Sequence, residues 1–190
     1  MKGSQKRVQV FLSEREALVA EGFSSETGLR FSHQYADLMD RFIRDLFLTA
    51  GFRQSNRPES DNALAVVALG GYGRQELCLG SDVDLMVIHR GDLSSEMAEI
   101  IRHALYPLWD AKLEVGYSIL TFQECIRLAM TDFRMLTSLM DSRFFVGSRY
   151  FYRLYREAFW SRMAREKDSL LGKFLISRRE RADRNKGEGC

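Results

Sequence analysis

The stretch LGGYGRQELCLGSDVDLMVI, from Leu69 to Ile88, places a glycine cluster and two aspartates between apolar runs. The run before it, Ala63 to Leu69, is short and continuous and is ended by glycines, which predicts a buried strand. The run from Asp84 to His89 predicts a second strand. A chain that needed only a core would have little use for glycines and aspartates at this junction. The stretch therefore indicates a functional site.

Three glycines, Gly70, Gly71 and Gly73, follow the first predicted strand. Glycine permits positive φ and lets a ligand approach the backbone closely, so that consecutive amides can point at one anion. This pattern favours a phosphate site, although an ordinary strand-to-helix turn would use the same residues. The spacing is neither G-x-G-x-x-G nor G-x-x-x-x-G-K-[ST], which argues against the Rossmann and P-loop sites.

Asp82 and Asp84 lie two residues apart at the start of the second strand. Side chains at this spacing share one face of a strand, roughly 6–7 Å apart along the backbone. Two neighbouring carboxylates repel, and without a partner at least one would have a raised pKa. A divalent cation removes the conflict, and Mg²⁺ takes one or two carboxylates plus substrate phosphates. Taken alone, the pair is equally compatible with a turn aspartate beside a solvated strand end.

Taken together, these residues resemble the signature of the DNA polymerase β-like nucleotidyltransferase superfamily. That signature is an apolar strand, a Gly-Gly pair, a short spacer, and Asp-x-Asp at the head of another apolar strand. The family adds a third carboxylate between apolar residues on a later strand. Glu114 in KLEVG fits this position, and Asp110 is its rival at a helix end. The resemblance implies that Asp82, Asp84 and Glu114 are catalytic and hold Mg²⁺, converging on a point that faces the glycines.

A closer resemblance is to the family of bacterial PII uridylyltransferases, whose motif reads GGYGRGEL followed by SD-x-DL. The similarity continues through LWDAKLEVGYS (Leu108 to Ser118) and TSLMDSRFFVG (Thr137 to Gly147). It implies Mg²⁺-dependent transfer of UMP from UTP to a tyrosine hydroxyl of a PII nitrogen-signalling protein, with release of pyrophosphate. Two alternatives stay open: an adenylyltransferase acting on glutamine synthetase or another protein, and a non-catalytic module that binds nucleotide or PII.

The remaining candidate nucleotide-binding residues lie on either side of the spacer. Arg74 follows the glycines, where a guanidinium can fork onto a phosphate; pairing with Glu76 or another carboxylate is equally compatible with its position. Ser81 precedes the first aspartate and is either a hydrogen-bonding residue near the metal or a turn residue. Tyr72 is expected to be a structural ring. Cys78 and Cys125 are expected to be small buried apolar residues.

The order of elements predicts an α+β protein, and the resemblance implies the polymerase β-like fold, a small mixed sheet flanked by helices. Helices are expected at Val8 to about Ala20, from Phe31 to near Gly51, at Ser94 to Asp110, from Thr121 to about Gly147, and at Ser148 to Arg184; a third strand is expected at Lys112 to Leu120. Thr121 and Glu124 fit a capping box.

The predicted elements divide the chain into three parts: N-terminal helices at 1–55, a nucleotidyltransferase core at 56–147, and a C-terminal helical extension at 148–190.

Composition narrows the class of protein. The net charge of +2, from 28 basic and 26 acidic residues, gives no support to nucleic-acid binding. No apolar run approaches the roughly 20 residues of a membrane span, and the start MKGSQKR lacks a signal peptide's apolar core. The three cysteines form no metal-ligand pair and are typical of free thiols, which predicts a cytoplasmic location. Members of the resembled family are longer, so the chain is expected to be a fragment or a stand-alone transferase.

Overall fold

A computed structural model describes residues 2–22, 28–52, 63–170 and 172. Within these ranges, seven helices and four strands have defined bounds. They are α1 (Lys2–Gly22), α2 (Gly28–Thr49), β1 (Leu64–Ala68), α3 (Gly70–Gly73), β2 (Val83–His89), α4 (Ser95–Asp110), β3 (Val115–Thr121), α5 (Phe122–Thr131), α6 (Phe133–Met140), β4 (Arg143–Gly147) and α7 (Arg149–Arg165). The predicted loop between α2 and β1 falls largely on residues 53–62, outside the described residues.

The four strands form one mixed sheet in the order β3-β2-β1-β4. The central strand β1 is antiparallel to β2, with Val66 opposite Val87, and antiparallel to β4, with Val66 opposite Val146. β2 and β3 are parallel, with Asp84 opposite Gly116. The helix α4 makes the crossover between these two parallel strands, as such a connection requires. The α+β prediction, with a small mixed sheet flanked by helices, is confirmed.

Both faces of the sheet are covered, which explains why β1 reads as a continuous apolar run. Its residues Leu64, Val66 and Ala68 pack in an apolar cluster with α1, α2 and α4. Ala65 and Val67 point to the other face and pack with α5, α6 and α7. Every residue of β1 is buried. Burying a valine side chain fully stabilises the fold by roughly 1.5–3 kcal/mol, so this strand anchors the three layers.

The prediction of helices from Thr121 to about Gly147 is confirmed by α5 and α6 and is wrong at its end. Residues Arg143–Gly147 form β4, because β1 would otherwise expose one row of backbone groups in a buried position. The aromatic and β-branched segment Phe144 to Val146 suits a strand, but a five-residue strand is selected by its partner rather than by its own pattern. The predicted helix from Ser148 is confirmed as α7, which ends at Arg165 with the cap at Glu166 and is shorter than predicted. Residues 171 and 173–184 of the predicted helix lie outside the described residues.

The third strand begins at Val115, three residues later than predicted. Lys112 has a φ of 56°, and the Leu113 and Lys112 amides donate to the Leu108 and Trp109 carbonyls at 3.1 and 2.9 Å. This is the Schellman arrangement that ends a helix, here with lysine in the left-handed position. It caps α4 and buries Leu113 before the chain enters β3.

Several local predictions are confirmed. α2 presents its apolar stripe to the core and ends two residues before Gly51, and α4 begins after the cap Ser94. The capping box of α5 is complete, since Thr121 accepts from the Glu124 amide and the Glu124 carboxylate accepts from Thr121. In the part of the chain that the structure describes, no helix combines the length and apolarity needed to cross a membrane. The three-part domain division stays a prediction.

Candidate functional site

The glycine cluster forms a single helical turn, α3, directly after β1. Gly70 has a φ of 55°, a conformation that glycine adopts without the Cβ penalty of other residues. The Leu69 amide donates to the carbonyl of Asp84 at 3.0 Å, which ties the start of the turn to β2. The first amides of a helix have no acceptor within it. The turn therefore brings the backbone amides of Gly70 and Gly71 close to the strand that carries the aspartates.

Gly73 has a packing reason to be glycine. A Cβ at this position would lie 2.3 Å from the carbonyl oxygen of Asp141 and 2.9 Å from that of Ala68. No side chain fits there, so Gly73 lets α3 pack against the turn that joins α6 to β4. Its predicted contact with nucleotide stays a prediction.

The turn is held from below by a buried ionic network that sequence reasoning missed. Arg143 donates to both carboxylate oxygens of Asp40, at 2.6 and 3.0 Å, and to the backbone carbonyls of Tyr72 and Gly73, each at 3.2 Å. The Tyr72 hydroxyl donates to Asp40 at 2.7 Å. Burial, and then the Asp40 charge, raise the pKa of Tyr72 well above its ordinary value. Tyr72 is thus a structural ring, as predicted.

A signal for this network exists in the sequence. Asp40 lies within the apolar stripe of α2, between Met39 and Phe42, and only 9% of it is exposed. An aspartate that deeply buried almost always has a partner. The partner, Arg143, lies 103 residues away along the chain, and a single sequence does not identify it.

Arg74 contacts carboxylates in this structure. Its guanidinium donates to Glu76 at 2.8 Å and to Asp141 at 2.6 Å. Hydrogen bonds to Glu76 and then Asp141 raise the pKa of Arg74. The carboxylate pairing considered from the sequence is therefore present, and its binding of a phosphate stays a prediction. Ser81 is exposed, and its amide donates to the carbonyl of Cys78 at 3.2 Å, which makes it a turn residue.

Two cysteine predictions have different outcomes. Cys125 is buried, as expected, and burial raises the pKa of its thiol to about 12. Cys78 is exposed, so the prediction that it is buried is wrong. It lies in the loop between α3 and β2, where the chain turns back over the protein surface, and the neighbouring Leu77 takes the buried position instead.

The two aspartates meet at the start of β2. Val83 and Leu85 point into the cluster under α4, so Asp84 between them emerges on the opposite face. Burial, and then the neighbouring charge of Asp82, raise the pKa of Asp84. The predicted electrostatic conflict between these carboxylates is therefore present in the fold, and one cation beside them would relieve it.

The Asp84 carboxylate lies in a slot between two glycines from different elements. A Cβ on Gly70 would be 3.7 Å from its Oδ2 atom, and a Cβ on Gly116 would be 2.5 Å from its Oδ1 atom. Gly116 belongs to β3 and was not among the predicted site residues. Because neither flanking residue has a side chain, the carboxylate is open to a ligand that approaches along the glycine turn.

The backbone of Glu114 lies next to the segment that carries Asp82 and Asp84. Its carbonyl accepts a hydrogen bond from the Val83 amide at 2.8 Å, and it precedes β3 by one residue. Its side chain is exposed. Among the described residues, no three His, Cys, Asp or Glu side chains are grouped as a metal site, so the convergence of all three predicted carboxylates is not seen. Of the three, Asp82 and Asp84 are the two whose charges interact, since Asp82 contributes to the raised pKa of Asp84.

The donor set fits a hard cation. Carboxylate oxygens are the ligands of Mg²⁺, which needs only one or two of them when substrate phosphates supply the rest. Asp82 and Asp84 meet that requirement. The backbone of Glu114 is hydrogen-bonded to Val83, the residue between them. The roles of these three residues, and of the nucleotide-binding candidates, stay predictions.

The fold and this arrangement can be compared with one known class of protein. A mixed sheet flanked by helices, with a glycine turn after one strand and Asp-x-Asp heading its neighbour, is compatible with the nucleotidyltransferase fold. No protein-family model matches the chain. The chain is 33% identical over 155 residues to the bifunctional uridylyltransferase/uridylyl-removing enzyme of Rhodospirillum rubrum. That match covers 79% of this chain, which spans only 16% of the length of the relative.

Proposed function

We propose that this chain is a Mg²⁺-dependent nucleotidyltransferase that transfers UMP from UTP to a tyrosine hydroxyl of a PII signalling protein. The observation that carries the proposal is the position of the Asp84 carboxylate, next to Asp82 and between the glycine turn and Gly116. The similarity to a uridylyltransferase supports the nucleotide. The PII acceptor comes from the family that the motifs resemble.

Asp82 and Asp84 would hold the metal, with Glu114 as the third candidate ligand. When bound, Mg²⁺ neutralises the triphosphate and lowers the pKa of the attacking hydroxyl. The acceptor oxygen forms a bond to the α-phosphorus of UTP, the bond from that phosphorus to the pyrophosphate oxygen breaks, and the hydroxyl proton is released. Such a transfer needs little covalent chemistry from the protein, because positioning and charge neutralisation supply most of the effect.

The residues of the chain itself would contribute by positioning the phosphates of the nucleotide. Gly70 and Gly71 allow phosphate oxygens to reach the backbone amides of the turn without a side chain in the way. Arg143 and Asp40 hold that turn from beneath, so its amides keep their direction. Arg74 is near enough to the turn to change partner, from Glu76 or Asp141 to a phosphate, when nucleotide binds.

The test is a transfer assay with UTP or ATP labelled at the α-phosphate, Mg²⁺ and purified PII. We expect label on PII with UTP, loss of that label with Asp84→Asn, and retained transfer with Asp92→Asn. Asp92 is the matched control because it is exposed and follows the opposite end of β2. Labelling with ATP alone would point to an adenylyltransferase. Nucleotide binding without any transfer would contradict the catalytic proposal and favour a binding module.

A further inference from the structure

The structure of β3 does not by itself require a glycine at position 116. It lies in the interior of β3, where glycine has no side chain to pack and weakens a strand. Its φ lies outside the left-handed region, so the backbone conformation is open to other residues. It is also exposed, so the core does not exclude a side chain.

What a side chain at this position would meet is the Asp84 carboxylate. A Cβ on Gly116 would lie 2.5 Å from Asp84 Oδ1 and 3.7 Å from its Cγ, and among the described residues no other atom beyond its chain neighbours lies within 4 Å. The two residues are direct partners in the parallel register of β2 and β3. The missing side chain at 116 therefore leaves room for one functional group, the carboxylate of Asp84.

We propose that Gly116 is a positioning residue, because its missing side chain leaves the space in which the Asp84 carboxylate faces the glycine turn. Its consequence for catalysis rests on the proposed function. A methyl group at 116 would force Oδ1 back by about 1 Å to reach ordinary van der Waals contact. Mg²⁺ demands near-ideal octahedral geometry with oxygens at about 2.0–2.1 Å, so a displacement of that size removes a ligand.

The decisive variant is Gly116→Ala, with Gly28→Ala as its matched control. Among the described residues, a Cβ on Gly28 meets nothing within 4 Å, so the control adds the same methyl group without a steric contact there. Crystal structures of the metal-free proteins show whether the Asp84 carboxylate moves, and water-proton relaxation measures Mn²⁺ binding. We expect Gly116→Ala to displace the carboxylate and raise the Kd for Mn²⁺ at least about tenfold, a change of roughly 1.4 kcal/mol. Its Tm should equal or exceed that of the unmodified chain.

A double variant separates positioning from general damage. Residues that act through one contact show non-additive effects. On the Asp84→Asn background, Gly116→Ala should therefore weaken Mn²⁺ binding no further. An unmoved carboxylate with unchanged Mn²⁺ affinity in Gly116→Ala, or an equal loss on both backgrounds, would overturn the proposal.

The outcome is distinct from that of the proposed function. If the unmodified chain binds Mn²⁺ and transfers no nucleotide, the transferase proposal fails while the Gly116 test still stands. If the chain does not bind Mn²⁺, the carboxylate position in the Gly116→Ala crystal structure decides the inference alone.

Discussion

Arg143 of β4 and Asp40 of α2 form a bidentate ion pair, with N–O distances of 2.6 and 3.0 Å, beneath the glycine turn. The side chains are 24% and 12% exposed, so both charges are largely removed from water. The same guanidinium donates to the Tyr72 and Gly73 carbonyls. A lysine at this position would not make all of these contacts together, because it lacks the planar fork of donors. The pair links an N-terminal helix to the candidate site.

Arg143→Ala should destabilise the protein by about 3 kcal/mol, because it leaves the Asp40 charge buried with the Tyr72 hydroxyl as its one remaining hydrogen-bond partner among the described residues. Arg143→Lys should lose less. Urea unfolding measures both. The control is Arg7→Ala, which removes the more exposed pair with Asp45 and should cost no more than about 1 kcal/mol. Equal losses for Arg143→Ala and Arg7→Ala would show that the buried network contributes nothing special.

Asp84→Asn should change the pH dependence of stability in a defined direction. Burial and Asp82 raise the folded-state pKa of Asp84 above the ordinary 3.8. Between those two values the folded state binds more protons than the unfolded state, so this group lowers stability as pH rises through its folded pKa. Asparagine has no charge to lose. The variant should therefore gain stability relative to the unmodified protein from pH 4 to pH 7, measured by urea unfolding at each pH; a clear loss at pH 7 would assign Asp84 to the fold.

Gln75→Gly should be more stable than Gln75→Ala. Gln75 has a φ of 62°, and the Glu76 amide donates to the Gly71 carbonyl at 2.8 Å, so it occupies the left-handed position that ends α3. The motif of the family that the sequence resembles has glycine there. Relief of the left-handed strain, about 1–2 kcal/mol, exceeds the entropy that glycine adds to the unfolded chain, about 0.4–1 kcal/mol. Both variants lose the exposed hydrogen bond from Gln75 to Asp37, and Gln75→Ala also keeps the strain. Thermal unfolding should therefore show a higher Tm for Gln75→Gly than for Gln75→Ala, and equal Tm values would contradict the strain at this position.

Local patterns carry most of this fold. The amphipathic stripe of α2, the capping box at Thr121 and the glycine-terminated run of β1 are each visible in a short window, and each was predicted. β4 was not, because Arg143–Gly147 becomes a strand only through pairing with β1, about 80 residues earlier. The start of β3 was displaced because a lysine rather than a glycine takes the left-handed cap at 112.

The same division applies to the site. Asp82, Asp84 and the glycines of α3 lie in one continuous motif, so the sequence alone predicts them as site residues. Gly116 and Arg143 act on that motif from β3 and β4, through contacts that exist only after the sheet has formed. Glu114 precedes β3 by one residue, so the alternation of side chains along a strand does not fix its direction.

The most direct measurement of the central claim is the change in unfolding free energy on adding Mg²⁺ and UTP. A ligand that binds only the folded state at a free concentration about 100 times its Kd adds roughly 2.7 kcal/mol. The account predicts such a gain for the unmodified chain and for Asp92→Asn, and a much smaller gain for Asp82→Asn and Asp84→Asn. No gain in the unmodified chain, or the same gain in all four proteins, would contradict a metal–nucleotide site at Asp82 and Asp84.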